Sequence, residues 1–340
     1  VRPNQSIAEL PKMLVDSAAG LNYKGPLSAR HVNAWNTLTL AQLDEIRQLR
    51  PNVLNETQYV QYYLQRLQAS TELDWQNDKK DRRAYLNRIW RFISQLAPVH
   101  NAMRASVLEQ FLLLDQSEGK YNRELFTQYI RLPIAKFSYV NRKYIDGIDQ
   151  RFWVRGPAKP FLNQLFPTTI DHSKLISDYL QHFATEDEDV QPWVAYLNDV
   201  YVRQQYAESR LINGIGDPQR WYAALSPTQL KQLRDRVELL FAKTNPSEFA
   251  PDADVTLKVS TKNIDSLLIK VYEINALNYY RSNSREIRQD INLDGLVSNV
   301  QRTVTYDDAP VRRVKRVFEF PEIKKPGSYV IDLIGNGINS

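Results

Sequence analysis

The chain has four histidines, His31, His100, His172 and His182, and no cysteine. His172 and His182 precede the acidic run Glu186-Asp187-Glu188-Asp189, and imidazole with carboxylate is a donor set that binds divalent cations. No His-x-x-x-His or Glu-x-x-His spacing puts two of them on one helical turn. The acidic run is better read as the start of a helix, where carboxylates meet unpaired backbone N–H groups. Glu72, Asp74, Asp78 and Asp81 surround Trp75, which evokes a glycosidase subsite. Carboxylates so close in sequence suit an exposed helix junction better. His172-Ser173 is no triad, because adjacency in sequence says nothing about convergence in space. Gly214-Ile215-Gly216 is too short to cradle a phosphate and is expected to stop a helix. Without cysteine there is no disulfide, thiolate-bound metal, thiol nucleophile or internal thioester. The sequence thus offers no catalytic, cofactor-binding or metal-binding residue, and the chain is expected to be no enzyme and to need no cofactor.

Other groups suggest surfaces. Arg312-Arg313-Val314-Lys315-Arg316 offers an anion-binding patch, but basic residues also guard sheet edges or pair with Asp307 and Asp308. Tyr59–Tyr63 and Tyr279-Tyr280 offer stacking faces, although tyrosines at helical spacing are usually half-buried packing. Asn4-Gln5-Ser6 and Asn55-Glu56-Thr57 fit the N-glycosylation pattern. Over the whole chain 44 basic residues face 39 acidic ones, a mild excess that predicts neither a nucleic-acid nor a membrane-surface partner. No run of about 18 apolar residues exists to span a bilayer.

Helices must position these groups. Thr39 and Gln42 form a capping box ahead of Leu40, Leu43, Ile46 and Leu49, and Pro51 ends that helix. Further helices are predicted near 56–70, from Tyr85 to Leu96 after a charged link at Asp78–Arg83, over 101–115 and 123–131, then 173–183 and 190–211. A shorter one is expected around Ile7–Ala18. Four prolines break residues 132–170 into an irregular connection. Ser226 and Gln229 form a second capping box, whose helix is drawn through Leu230, Leu233, Val237 and Leu240. Trp35-x-x-Leu38-Thr39-x-x-Gln42-Leu43 and Tyr222-x-x-Leu225-Ser226-x-x-Gln229-Leu230 share their spacing, yet two copies fall short of a solenoid's three. Asn245–Asp254 reads as a linker.

Beyond it the period changes to two. Val255, Leu257 and Val259 alternate with Thr256 and Lys258, and Leu267–Ile274, Val311–Phe320 and Tyr329–Ile334 continue as strands. Leu268–Tyr272, Asn275-x-x-Asn278-Tyr279-Tyr280, Ile291-x-Leu293-x-Gly295-Leu296, Phe318-x-Phe320-Pro321 and Pro326-Gly327-x-Tyr329-Val330 together resemble a macroglobulin (MG) domain of the α2-macroglobulin family. The resemblance covers the last quarter of the chain and implies an exported protein. The family's thioester has no counterpart here, since it needs cysteine.

The expected fold is α+β multidomain: a mostly α-helical region, 1–245, then an antiparallel MG/Ig-like β-sandwich, 246–340, cut short at its C-terminus. The expected function is a non-enzymatic scaffold or interaction module of a large exported α2-macroglobulin-like protein, periplasmic or at the cell surface, serving protease inhibition or envelope defence. Its partners would be other domains of the same polypeptide or another protein, with no nucleic acid and no membrane span; the sequence does not set the oligomeric state. The alternatives are a self-assembling envelope layer or filament protein and a carbohydrate-active enzyme.

Overall fold

The Thr39 side chain accepts a hydrogen bond from the Gln42 amide at 3.3 Å, and Gln42 Oε1 accepts from the Thr39 amide at 2.9 Å. This reciprocal cap starts α1 (Leu40–Leu49), which turns its buried Leu43 and Ile46 inward. The computed structural model describes residues 15–16, 35–68, 74–135, 137–155, 171–246, 248–284, 291, 293 and 295–339. The helix expected around Ile7–Ala18 lies almost wholly outside the described residues, apart from a helical Val15-Asp16. The chain divides into two compact units: 1–115 with 121–175 and 191–199, and 116–120 with 176–190 and 200–340.

In the first unit a 3₁₀ turn (Pro51–Asn55) follows α1, then come α2 (Thr57–Arg66), α3 (Lys79–Ile93), α4 (Asn101–Ser117), α5 (Arg123–Ile130) and α6 (Arg142–Asp146). Its core gathers Trp35, Leu43, Tyr59, Leu64, Tyr85, Ile89 and Phe92, all buried, with Tyr63 stacked on Phe92 at 3.8 Å. The helix expected over 190–211 is broken in two. After α7 (His172–Glu186), α8 (Gln191–Val194) stops, and α9 (Asp199–Asn213) starts anew. Between them the Asn141 amide bonds Tyr196 O at 2.9 Å, the Asn198 amide bonds Tyr139 O at 2.7 Å, and Val140 bridges Leu197. A partner 55 residues or more away thus takes these backbone groups from the helix. Trp35 is fully buried whereas Tyr222 is exposed, so the shared spacing of the two capped segments does not extend to packing.

In the second unit α10 (Pro218–Ala223) and α11 (Pro227–Asp235) pack with α9 around Ala207, Leu211, Trp221 and Leu233. The capping box at Ser226 and Gln229 forms as the spacing predicts. Its helix ends at Asp235, short of the expected Leu240. Residues 238–241 instead form strand β1 (Glu238–Phe241), antiparallel to β2 (Thr256–Lys262). Val237 with Leu240 satisfies helical spacing whereas Val237 with Leu239 satisfies alternation, and the open edge of β2 decides between them.

The remaining elements are β3 (Ser266–Ile274), α12 (Ala276–Asn283), β4 (Val300–Thr305), β5 (Val314–Glu319), β6 (Ser328–Gly335) and β7 (Ile338–Asn339). One sheet runs β1-β2-β5 and the other β4-β3-β6-β7, every pair antiparallel. Leu239, Val259, Leu267, Ile269, Val271, Phe318, Phe320 and Leu333 fill the space between them. The α+β class with a C-terminal antiparallel sandwich is the architecture expected from the sequence.

Candidate functional site

The residues singled out for chemistry are mostly occupied in structural bonds. His172 Nδ1 lies 2.8 Å from Glu109 Oε1, and the Tyr129 hydroxyl donates to the same oxygen at 2.9 Å. These three side chains converge from α7, α4 and α5, and Glu109 and Tyr129 are buried. Burial, reinforced by the Glu109 charge, holds the Tyr129 hydroxyl well above the usual phenol range, so it stays protonated and donates. No local spacing announces this cluster, because its members lie 20 to 63 residues apart. His182 does not join it; its Nε2 pairs with Glu186 at 3.2 Å, one turn on in α7.

The acidic run does not start a helix as expected. Glu186 ends α7, and Glu188 holds Arg210 at 2.9 Å and Arg220 at 2.5 Å, both stacked over Trp221. Among the described residues no group of three or more His, Asp or Glu could hold a metal ion. Asp78 caps α3 by accepting from the Asp81 amide at 2.8 Å, Asp81 accepts from the Asp74 amide at 3.0 Å, and Asp74 accepts from Asn77. Trp75 packs on Tyr85 at 5.3 Å. Glu72, like Asn4-Gln5-Ser6, lies outside the described residues; Asn55 ends the 3₁₀ turn before α2. Gly214, at φ +66°, receives the end of α9, and a Cβ there would run into the Arg312 guanidinium.

The basic run 312–316 is drawn into pairs. Arg316 binds Asp308 and stacks on Tyr306, and Arg313 Nε donates to Glu238 Oε2 at 2.6 Å. Glu238 is the centre of a buried network. It also accepts from Arg236, which reaches Glu208 at 2.6 Å, while the Lys262 ammonium donates to Arg236 O at 2.8 Å. Burial by itself would raise the Glu238 carboxyl, but Arg313 and Arg236 outweigh it and hold the group below its ordinary value. Tyr59 and Tyr63 are buried rather than offered for stacking, their hydroxyls donating to Leu43 O at 2.6 Å and to Asp44 at 2.8 Å.

One surface remains open and was missed in the overall charge count. Helix α3 carries six basic residues, Lys79, Lys80, Arg82, Arg83, Arg88 and Arg91, against one acid, Asp81. Its buried stripe is Tyr85, Leu86, Ile89, Phe92 and Ile93. Arg82 turns toward Gln110 at 2.8 Å and Arg83 toward the buried Asp115 at 2.6 Å. Lys80, Ala84, Asn87, Arg88 and Arg91 are exposed at the spacing of one helical face. Arg47 of α1 bonds Gln95 just beyond α3 at 3.3 Å but is paired with Asp44 at 2.8 Å. A charge count over a 15-residue window finds this face, whereas a whole-chain average hides it. Such a face attracts an acidic macromolecular surface by long-range steering and short charge-assisted bonds.

The chain thus runs from a helical region into an antiparallel sandwich. The chain belongs to the actin-binding protein F family: the family profile "Actin-binding protein F N-terminal domain" matches residues 2–237. The profile "AbpF first immunoglobulin-like domain" matches residues 267–340. Among curated relatives, Actin-binding protein F of Dictyostelium discoideum is 29% identical over 328 residues. That alignment takes in 94% of this chain and 13% of the relative, so the chain spans about an eighth of that protein's length. No solved structure matches.

These matches correct four expectations. The resemblance to the α2-macroglobulin family is overturned by these matches, since the alternation it leaned on is common to antiparallel sandwiches and does not tell one family from another. One of its supposed markers, Asn275-x-x-Asn278, is the cap of α12, with Asn275 accepting from the Asn278 amide at 2.9 Å. The role in protease inhibition or envelope defence falls with that resemblance, and so do the layer and glycosidase alternatives. The exported location and the periplasmic and secreted descriptions rested on it alone and fall too. No described helix is long and apolar enough to cross a membrane.

Proposed function

We propose that this chain is a non-enzymatic, cytoplasmic binding module of an actin-associated protein, and that it contacts actin through the basic face of α3. The relative is named as an actin-binding protein, and 94% of this chain aligns with it. The observation that carries the proposal is the concentration of six basic side chains on one 15-residue helix, with Lys80, Arg88 and Arg91 exposed along it. Acidic side chains on the partner would supply the complementary charge. On this reading Glu109, Tyr129 and His172 tie helices together, and no residue is catalytic. The helical region and the sandwich act as separate domains, and the division, expected near residue 245, is drawn ahead of β1 because that strand pairs with β2.

Co-sedimentation with filamentous actin tests this. The chain should pellet with filaments less as salt rises from 50 to about 200 mM, because exposed charges are screened over about 10 Å. Lys80→Glu, Arg88→Glu and Arg91→Glu together should weaken binding at least about tenfold, roughly 1.4 kcal/mol, with circular dichroism unchanged. Binding that is insensitive both to salt and to the triple reversal overturns the assignment of the face.

A further inference from the structure

The two capped segments that share their spacing also share a local backbone. The Leu38 amide donates to Trp35 O at 3.3 Å and the Leu225 amide to Tyr222 O at 3.2 Å. One turn on, the Leu43 amide donates to Thr39 O at 3.0 Å and the Leu230 amide to Ser226 O at 2.9 Å. Both capping boxes form, so α1 and α11 carry matching positions. Trp35, Leu43, Asp44 and Arg47 in the first segment correspond to Tyr222, Leu230, Lys231 and Arg234 in the second.

Their surroundings differ. Helix α2 covers the first set: Tyr59 meets Trp35 edge-on at 5.5 Å, and its hydroxyl donates to Leu43 O at 2.6 Å. The Tyr63 hydroxyl donates to Asp44 at 2.8 Å, with the Arg47 guanidinium 5.8 Å from its ring. Trp35 is thus fully buried, whereas its counterpart Tyr222 is 40% exposed and Leu230 is only partly covered. In place of a helix the second set has a cleft of about 450 Å3. Tyr222, Leu230, Leu233 and Val311 wall it, with Lys231 and Arg234 beside them. Arg234 pairs with Asp235, but among the described residues no acid pairs with Lys231.

We propose that this cleft is a second docking surface, and that it takes an amphipathic helix of a partner protein, lying on α11 as α2 lies on α1. The pattern of α2 and one change of charge specify that helix. An aromatic residue in the place of Tyr59 fills the space beside Tyr222 and Leu230. Four residues on, where Tyr63 meets Asp44, the groove offers Lys231 instead, so the helix carries Asp or Glu there. The occupant has the form aromatic-x-x-x-acid, two positions one turn apart on one face. The surface shares no residue with the basic face of α3 and stands independently of the actin reading.

The probe is a fluorescein-labelled, hydrocarbon-stapled copy of residues 56–67 with Tyr63→Glu, stapled because so short a helix is marginal in water. Its twin carries Tyr63→Lys. In fluorescence anisotropy with the whole 340-residue chain, the Glu peptide should bind at least about tenfold tighter than the Lys peptide. Lys231→Glu should invert that preference, and Leu230→Asp should abolish binding of both. Lys231 is exposed, so its reversal tests the site without disturbing the fold, which circular dichroism checks. Equal binding of the two peptides, a preference that Lys231→Glu leaves unchanged, or no binding of either would overturn the proposal. Dimers in sedimentation velocity that Leu230→Asp dissolves would give the cleft to a second copy of the chain and overturn it as well.

Discussion

Glu238 shows how a single residue can set a pH limit on the fold. Its carboxylate is almost wholly buried at the start of β1 and takes up the charges of Arg236 and Arg313. Because its folded pKa lies below the ordinary 4.5, the network's stabilisation is complete above that value and is lost as pH falls through the folded one. Glu238→Gln removes the charge and leaves two arginines without their shared partner. We expect a loss of about 2 kcal/mol at pH 7, below the usual cost of breaking a buried pair because Arg236 reaches solvent. Urea unfolding at pH 7 and pH 4 checks this: the wild type should lose stability between the two and the variant less. Gly214 sets a steric limit instead. Gly214→Ala places a Cβ against Arg312 at a left-handed φ and should cost about 1–3 kcal/mol, read from the same unfolding curves.

At the level of elements, one asparagine side chain ties the break between α8 and α9 to α6. The Asn141 side chain donates to Val194 O at 2.9 Å and accepts from the Lys143 amide at 3.1 Å, so it both receives the end of α8 and caps α6. Asn141→Ala strands these groups and should lower stability by about 2 kcal/mol in thermal unfolding, a capping loss plus an unmet hydrogen bond. Helix α3 shows the opposite economy. Its capping aspartate and buried stripe follow from local spacing, which leaves one face to evolve charge without disturbing the core. That is why the triple reversal in α3 is expected to spare folding.

For the molecule as a whole, the place where helix gives way to sandwich matters most. Strand β1 lies outside the β-rich stretch read from the sequence, yet Leu239 belongs to the sandwich core and Val237 packs against it. A fragment of residues 236–340 should therefore unfold cooperatively, and one of 246–340 should lose about 3 kcal/mol or fail to show a transition. Equal melting curves for the two fragments would place β1 outside the folding unit and undo our placing of the strand.

Much of the architecture was legible because it is local. The capping boxes at Thr39 and Ser226, the apolar stripes of α1 to α5 and the alternation of β2, β3 and β6 all lie within a few residues of the groups they organise. The candidate surface was not read there, because Asp78–Arg83 passes for a charged link until the structure shows it to be the cap and first turn of α3. Tertiary structure alone decided the rest: that residues 195–198 leave the helix for 139–141, that Leu239 joins a sheet, that Glu109 meets Tyr129 and His172, and which arginines are neutralised and which face water. Those outcomes depend on partners tens of residues away. A backbone hydrogen bond or ion pair across that distance leaves no periodicity in the sequence to announce it.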